Sequence, residues 1–288
     1  MMANIIGGYF TSHVPGIGGA IVRGDQDTPY WKPFFSGFPP IREWLAQAKP
    51  DVAVVFSNDH GLNFFLDKMP TFAVGAAATY SNADEGWGLP VLDSFTGDAD
   101  LSWHLIENLV EDEFDIVSCQ KMLVDHGFAV PMALLWPGGA PWPVRTIPVS
   151  LNTVQHPLPS PARCYRLGQA IGRAIESYPK DLRVVVLGTG GLSHQLDGTR
   201  AGFINKEFDR RCLRQIVDEP EALARLSVHD LVEQAGAQGV EFLNWIAMRG
   251  ALSGAVSQVA CTYHVPISNT AGAVLLLENR KQAQRRVA

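Results

Sequence analysis

Three short apolar runs set the pattern of the chain. Val52 to Phe56 is rich in β-branched residues and has no polar alternation, which suits a strand covered on both faces in a parallel or mixed α/β sheet. It ends abruptly in Asn58-Asp-His-Gly61. Asn4 to Phe10 runs in the same way into Thr11-Ser-His13, and Arg183 to Leu187 runs into Gly188-Thr-Gly-Gly-Leu-Ser-His194. Open α/β sheets place their ligands just past the carboxyl ends of such strands. His13, His60 and His194 can therefore converge on one pocket from loops at one sheet edge.

Helical periodicity fills the intervals. Ile41, Trp44, Leu45 and Ala48 follow an i, i+3, i+4, i+7 pattern that Pro50 stops, which predicts a strand–helix–strand unit. Asp98 to Leu109 reads as a helix with Asp at its start, and Asp125-His-Gly127 opens an apolar helix running from Phe128 to Leu135. Leu167, Ala170, Ile171, Ala174, Ile175 and Tyr178 form one helical face. Further helices are expected from Asn205 to Val217 and from Gly239 to Met248. Val259 to Tyr263 and Ala273 to Leu277 read as strands flanking a turn at Pro266 to Thr270, and Lys281 to Arg286 as a frayed tail. The Pro- and Gly-rich stretches His13 to Gly19, Phe38 to Pro40, Trp136 to Pro143 and His156 to Pro161 read as loops, as does Tyr80 to Pro90. The whole predicts an α/β fold, a mostly parallel or mixed central sheet flanked by helices, in a single domain over residues 1–288.

Composition narrows the function. The chain is 47% hydrophobic and 18% charged, as a soluble globular protein is, and no apolar run approaches a bilayer span. Its net charge of −6 disfavours nucleic acid and anionic membranes as partners. The opening Met-Met-Ala-Asn lacks the basic start of a signal peptide, and Cys119, Cys164, Cys212 and Cys261 form no C-x-x-C pair. A reducing cytoplasm is expected.

The strand-end histidines suggest a metal. An iron(II) that must bind both substrate and O₂ wants few protein ligands, typically two histidines and a carboxylate with the other positions open. Spacing does not choose the carboxylate. Two other readings stand beside this one: a metal-free hydrolase using Ser193 or Ser12 with a histidine, and a non-catalytic domain. His104, beside a helix face, and His156, in a loop, read as structural.

A set of motifs decides among these. Thr11-Ser-His13, Asn58-Asp-His60, Asp84-Glu-Gly-Trp-Gly88, Val124-Asp-His-Gly127, the 188–194 turn, Arg200 to Asp209, Gly239-Val-Glu241 and Tyr263 to Thr270 follow in that order. Together they resemble the class III extradiol ring-cleavage dioxygenases of the protocatechuate 4,5-dioxygenase β-subunit type. The resemblance implies that His13, His60 and Glu241 hold iron(II) and that His194 is the acid–base histidine. It implies a second pocket histidine in His126, a supporting partner in Asn58, and a Ser268-Asn269 turn that receives the substrate's ring carboxylate. The implied activity is cleavage of protocatechuate by O₂ to 4-carboxy-2-hydroxymuconate semialdehyde, with gallate or a methylated gallate as the rival substrate. A non-catalytic binding protein on the same scaffold is the rival of another class. A small helical α subunit is the implied partner.

Overall fold

A computed structural model describes residues 2–252 and 254–280. The tail expected at Lys281 to Arg286 lies outside them. The strands are β1 (Asn4–Thr11), β2 (Val52–Ser57), β3 (Phe72–Gly75), β4 (Thr79–Asn82), β5 (Phe95–Thr96), β6 (Val117–Cys119), β7 (Leu123–Val124), β8 (Arg145–Leu151), β9 (Arg183–Thr189), β10 (Val256–Ile267) and β11 (Thr270–Asn279). The helices are α1 (Pro15–Arg23), α2 (Lys32–Phe35), α3 (Pro39–Ala48), α4 (Ala99–Glu111), α5 (His126–Leu135), α6 (Pro161–Ser177), α7 (Lys206–Asp218), α8 (Pro220–Ala224), α9 (Val228–Ala235) and α10 (Phe242–Ala251).

Eight strands form the central sheet in the order β10-β11-β1-β9-β2-β8-β3-β6. The four central strands β1, β9, β2 and β8 are parallel to one another, while the pairings β1–β11, β11–β10 and β8–β3 are antiparallel, so the sheet is mixed. Every residue of β2 is buried, as its unbroken apolar run predicts. Its side chains alternate between two cores: Val52, Val54 and Phe56 face the layer that includes α4, α6 and α10, and Ala53 and Val55 face the layer that includes α1, α3 and α5. The strands β1, β9 and β2 are neighbours and parallel, so their carboxyl ends, with the three predicted histidines just beyond, share one edge.

Several predicted loops are ordered elements. His13 to Gly19 enters α1, and Phe38 to Pro40 and His156 to Pro161 run into α3 and α6. In each case a proline occupies the first turn, where its missing N–H costs nothing. Tyr80 to Pro90 begins as β4 of a small sheet with β5 and β7, and Tyr80 and Asn82 are buried. Strands this short carry no periodicity to read. No described helix is long and apolar enough to cross a membrane.

Helix α10, which follows Glu241, packs closely on α6. A Cβ on Gly168 would overlap the Ala247 carbonyl oxygen, and one on Gly250 would overlap that of Tyr165. Backbone rather than side chains therefore sets the separation. Gly168→Ala is expected to lower the unfolding free energy by about 1–3 kcal/mol in chemical denaturation, because the helices must move apart. Gly16→Ala, whose methyl would meet only Trp31 at 3.6 Å, is expected to stay within about 1 kcal/mol of the parent. Equal effects would show that the crossing is not glycine-limited.

Candidate active site

His13 lies two residues past β1, His60 three past β2, and His194 at the end of the turn that follows β9. Two more side chains complete the cluster. His126 is the first residue of α5, and Glu241 closes a 3-10 turn at the head of α10. His13, His126, His194 and Glu241 are buried, whereas the His60 side chain keeps 27% of its exposure at the mouth. The helix expected from Gly239 is thus a 3-10 turn up to Glu241 and α-helical only after it, and Glu241 faces inward instead of carrying a solvated charge.

Glu241 is the hub. Its Oε2 lies 3.3 Å from His13 Nε2 and 3.6 Å from His194 Nε2, and its Oε1 lies 3.3 Å from His60 Nε2. The Gly191 N–H donates to Oε2 at 3.0 Å, and Asn58 Nδ2 reaches Oε1 at 3.4 Å and His60 Nε2 at 2.9 Å. His126 pairs instead with Glu85. His13, His60 and His126 each offer a ring nitrogen within 4.8 Å of the others, a group able to hold a metal ion.

All four histidines are anchored at the same ring atom. His60 Nδ1 donates to Asp125 at 2.9 Å, His126 Nδ1 to Glu85 at 2.8 Å and His194 Nδ1 to the Leu192 carbonyl at 2.9 Å. His13 Nδ1 meets the Thr189 hydroxyl at 3.1 Å; that hydroxyl spends its own proton on the Gly127 carbonyl, so the ring donates here too. When neutral, each ring therefore carries its lone pair on Nε2. For His13, His60 and His194 that atom faces Glu241.

The electrostatics follow from burial among these groups. Burial by itself pushes the Glu241 carboxyl up, but the charge and hydrogen bonds of His13, the hydrogen bond of His60 and the charge of His194 outweigh it and hold the group well below its ordinary range. No Lys or Arg pairs with Glu241 among the described residues; only histidines do. Burial also works against charge on His60, yet its hydrogen bonds to Asp125 and Glu241 raise it to about 10. Asp125, opposed by burial but bonded to His60, falls to about 2. Burial leads the causes that lower His126.

The surrounding turn is built to allow this approach. Gly190 has φ +98°, and a Cβ on it would lie 2.8 Å from that of Glu241. Trp245 and Asn244, from α10, donate to the carbonyls of Gly190 and Thr189. The 188–194 segment is thus the histidine-presenting turn that the glycines predict. The serine-hydrolase reading fails here: Ser193 donates to Asp209 at 2.7 Å and Ser12 to the Gly191 carbonyl, and neither hydroxyl bonds a histidine.

Comparison with known proteins places the architecture. Residues 7–274 match the profile of the family described as the catalytic LigB subunit of aromatic ring-opening dioxygenase. The chain belongs to the LigB family. It is 43% identical over 201 residues to a gallate dioxygenase of Pseudomonas putida KT2440, covering 70% of this chain and 59% of that one. It is 35% identical to a 2,3-dihydroxyphenylpropionate/2,3-dihydroxicinnamic acid 1,2-dioxygenase of a Rhodococcus species, covering 64% and 54%. The chain thus spans little more than half the length of these two relatives. An uncharacterized protein of Escherichia coli K12, JW3007, superposes with a TM-score of 0.54 at 12% identity over 94% of this chain and 99% of that one, a likeness of fold alone.

In this cluster the predicted residues His13, His60, His126, His194, Glu241 and Asn58 come together. Ser268 and Asn269 sit on an exposed turn joined to His194 through a backbone bridge between His194 and Thr270. The Ser268 amide is already engaged, donating to the Tyr30 hydroxyl at 2.8 Å. Sequence reasoning missed Tyr30, Thr189, Glu85 and the orienting role of Asp125. For Glu85, Asp125 and Thr189 a signal existed, since they lie inside the motifs Asp84 to Gly88, Val124 to Gly127 and Gly188 to His194.

The His60–Asp125 pair has a pH signature. Asp125, depressed from 3.8 to about 2, stabilises the fold above about pH 4 and loses that contribution as pH falls. His60, raised from 6.5 to about 10, contributes fully below 6.5 and loses its contribution as pH rises through 10. In chelator-treated protein the melting temperature is therefore expected to fall between pH 6.5 and 10 more steeply in the parent than in Asp125→Asn. Parallel slopes would mean that the pair does not hold the His60 proton.

Proposed function

We propose that this chain cleaves the ring of a carboxylated catechol with O₂ by the extradiol route, with iron(II) held by His13, His60 and Glu241. The observation that carries this reading is the pair of ring nitrogens, His13 Nε2 and His60 Nε2, each standing 3.3 Å from a different oxygen of one buried carboxylate. Donor atoms that share an ion at about 2.0–2.2 Å lie roughly 3.0–3.5 Å apart, so the spacing fits. Two imidazoles, one carboxylate and no thiolate also suit iron(II) with positions left open for substrate and O₂. A divalent cation supplies the counter-charge that Glu241 otherwise draws only from histidines. His126, whose carboxylate partner is Glu85, is left for the substrate.

Iron(II) bound there would acidify the catechol hydroxyls and let electron density pass from the ring to O₂. The protein's own part is proton handling and orientation. His194 Nε2 bears a lone pair and faces the centre, so it accepts the proton of a substrate hydroxyl and returns it when the O–O bond breaks. The Leu192 carbonyl keeps the other ring proton in place during both transfers. The Ser268 hydroxyl and the Asn269 amide receive the ring carboxylate. Tyr30, which accepts from the Ser268 amide, keeps its own proton free to donate beside them.

Protocatechuate is the substrate that the motif resemblance favours, and gallate the one that the 43% identity to a gallate dioxygenase favours. Large apolar side chains stand exposed on the site loops: Phe65 and Leu66 after His60, Trp87 beside His126, and Leu196 after His194. A small helical α subunit that covers them would keep water from the reacting ring. The setting is breakdown of aromatic acids in the cytoplasm.

Anaerobic loading with iron(II), then protocatechuate or gallate and air, is expected to give a ring-opened, absorbing product from at least one of the two. No product from either would defeat the reading. His194→Gln is expected to keep its iron and lose about 10²–10⁴-fold in turnover, the contribution of a positioned acid–base. An iron-free His194→Gln would make His194 a ligand instead.

A further inference from the structure

The Asp84-Glu-Gly-Trp-Gly88 segment reaches the site through Glu85, the carboxylate partner of His126. We propose that Glu85 is a positioning residue: its carboxylate fixes His126 in the tautomer with the lone pair on Nε2, so that His126 meets a catechol as a hydrogen-bond acceptor. Both carboxylate oxygens are spent on this one residue. Oε1 takes the Nδ1 proton at 2.8 Å and Oε2 takes the His126 backbone N–H at 2.8 Å. A carboxylate has no proton to offer in return, so the alternative tautomer finds no partner at Nδ1.

The neighbours leave no substitute for Glu85. Asp125 precedes His126 in sequence, but its oxygens go to His60 and, as the cap of α5, to the Gly127 N–H. The ring is further held by contact with His60, stacked at 4.1 Å between centroids, and with Trp87 at 4.9 Å. Gly86 and Gly88 have φ of +71° and +80°, and Asp84 accepts from the Gly86 N–H at 2.9 Å, so a tight turn directs Glu85 inward. The Glu85 side chain is 18% exposed. This arrangement is the outer carboxylate that orients an imidazole, applied here to a histidine that faces substrate.

The kinetic part of this inference rests on the ring-cleaving function proposed above; the tautomer does not. Glu85→Gln keeps the size and one acceptor. With its amide oxygen on the backbone N–H, its NH₂ faces Nδ1 and the ring proton moves to Nε2. In the zinc-loaded, diamagnetic full chain, the imidazole ¹⁵N signal that His126→Ala removes is expected to report a protonated Nδ1 in the parent and a protonated Nε2 in Glu85→Gln. With iron, kcat/KM is expected to fall about 10–100-fold in Glu85→Gln at unchanged iron content. In a His126→Ala background the same change is expected to alter kcat/KM by less than about twofold, since Glu85 acts through His126 alone. An unchanged tautomer in Glu85→Gln, or equal losses in both backgrounds, would overturn the proposal. A parent that cleaves no catecholic acid would sink the ring-cleaving function while the ¹⁵N spectrum still judges the tautomer.

Discussion

A buried carboxylate without a lysine or arginine is costly to hold, and Glu241 is such a group. An isolated charge removed from water is penalised by several kcal/mol even after relaxation. Here the compensation comes from imidazole nitrogens at 3.3–3.6 Å, one backbone N–H and one asparagine amide. Those imidazoles give the carboxylate a permanent partner only if they are protonated or share a cation with it. The site is thus poised between two ways of neutralising one charge, a proton on His60 or a divalent ion, and metal binding becomes proton-linked as a result.

The rest of the fold serves that constraint. Adjacent parallel strands β1, β9 and β2 deliver three histidines to one edge, and α10, packed closely on α6, carries Glu241 at its head. Gly190 removes the one Cβ that would collide with Glu241. Behind the rings, Thr189, Asp125, Glu85 and the Leu192 carbonyl hold every Nδ1. Asp59 steadies the loop after His60 by accepting from the backbone N–H groups of Gly61, Leu62, Asn63 and Phe64.

Much of the scaffold was legible because burial on both faces leaves an unmistakable mark: Val52 to Phe56 and Val184 to Leu187 are apolar without alternation, and each is followed within a few residues by polar ones. The helices α1, α3 and α6 were hidden at their starts, since proline in a first helical turn looks the same in sequence as proline in a loop. The little sheet of β4, β5 and β7 was hidden because two to four residues show no period. At the site, the histidines were readable as strand-end residues, but Glu241 was not: a helical glutamate is ordinarily solvated, and only resemblance singled it out. The orienting network joins residues far apart in the chain, such as Glu85 with His126 and His13 with Thr189, and no local pattern encodes those pairings.

In the proposed function Glu241, with His13 and His60, forms the metal centre, as against the three-histidine group of His13, His60 and His126. Anaerobic iron(II) titration of the parent, Glu241→Gln and His126→Ala separates the two. Glutamine preserves volume and removes only the charge. One iron per chain is expected in the parent and in His126→Ala, and none held tightly in Glu241→Gln. Full loading of Glu241→Gln together with an iron-free His126→Ala would contradict the assignment and move the centre to the three histidines.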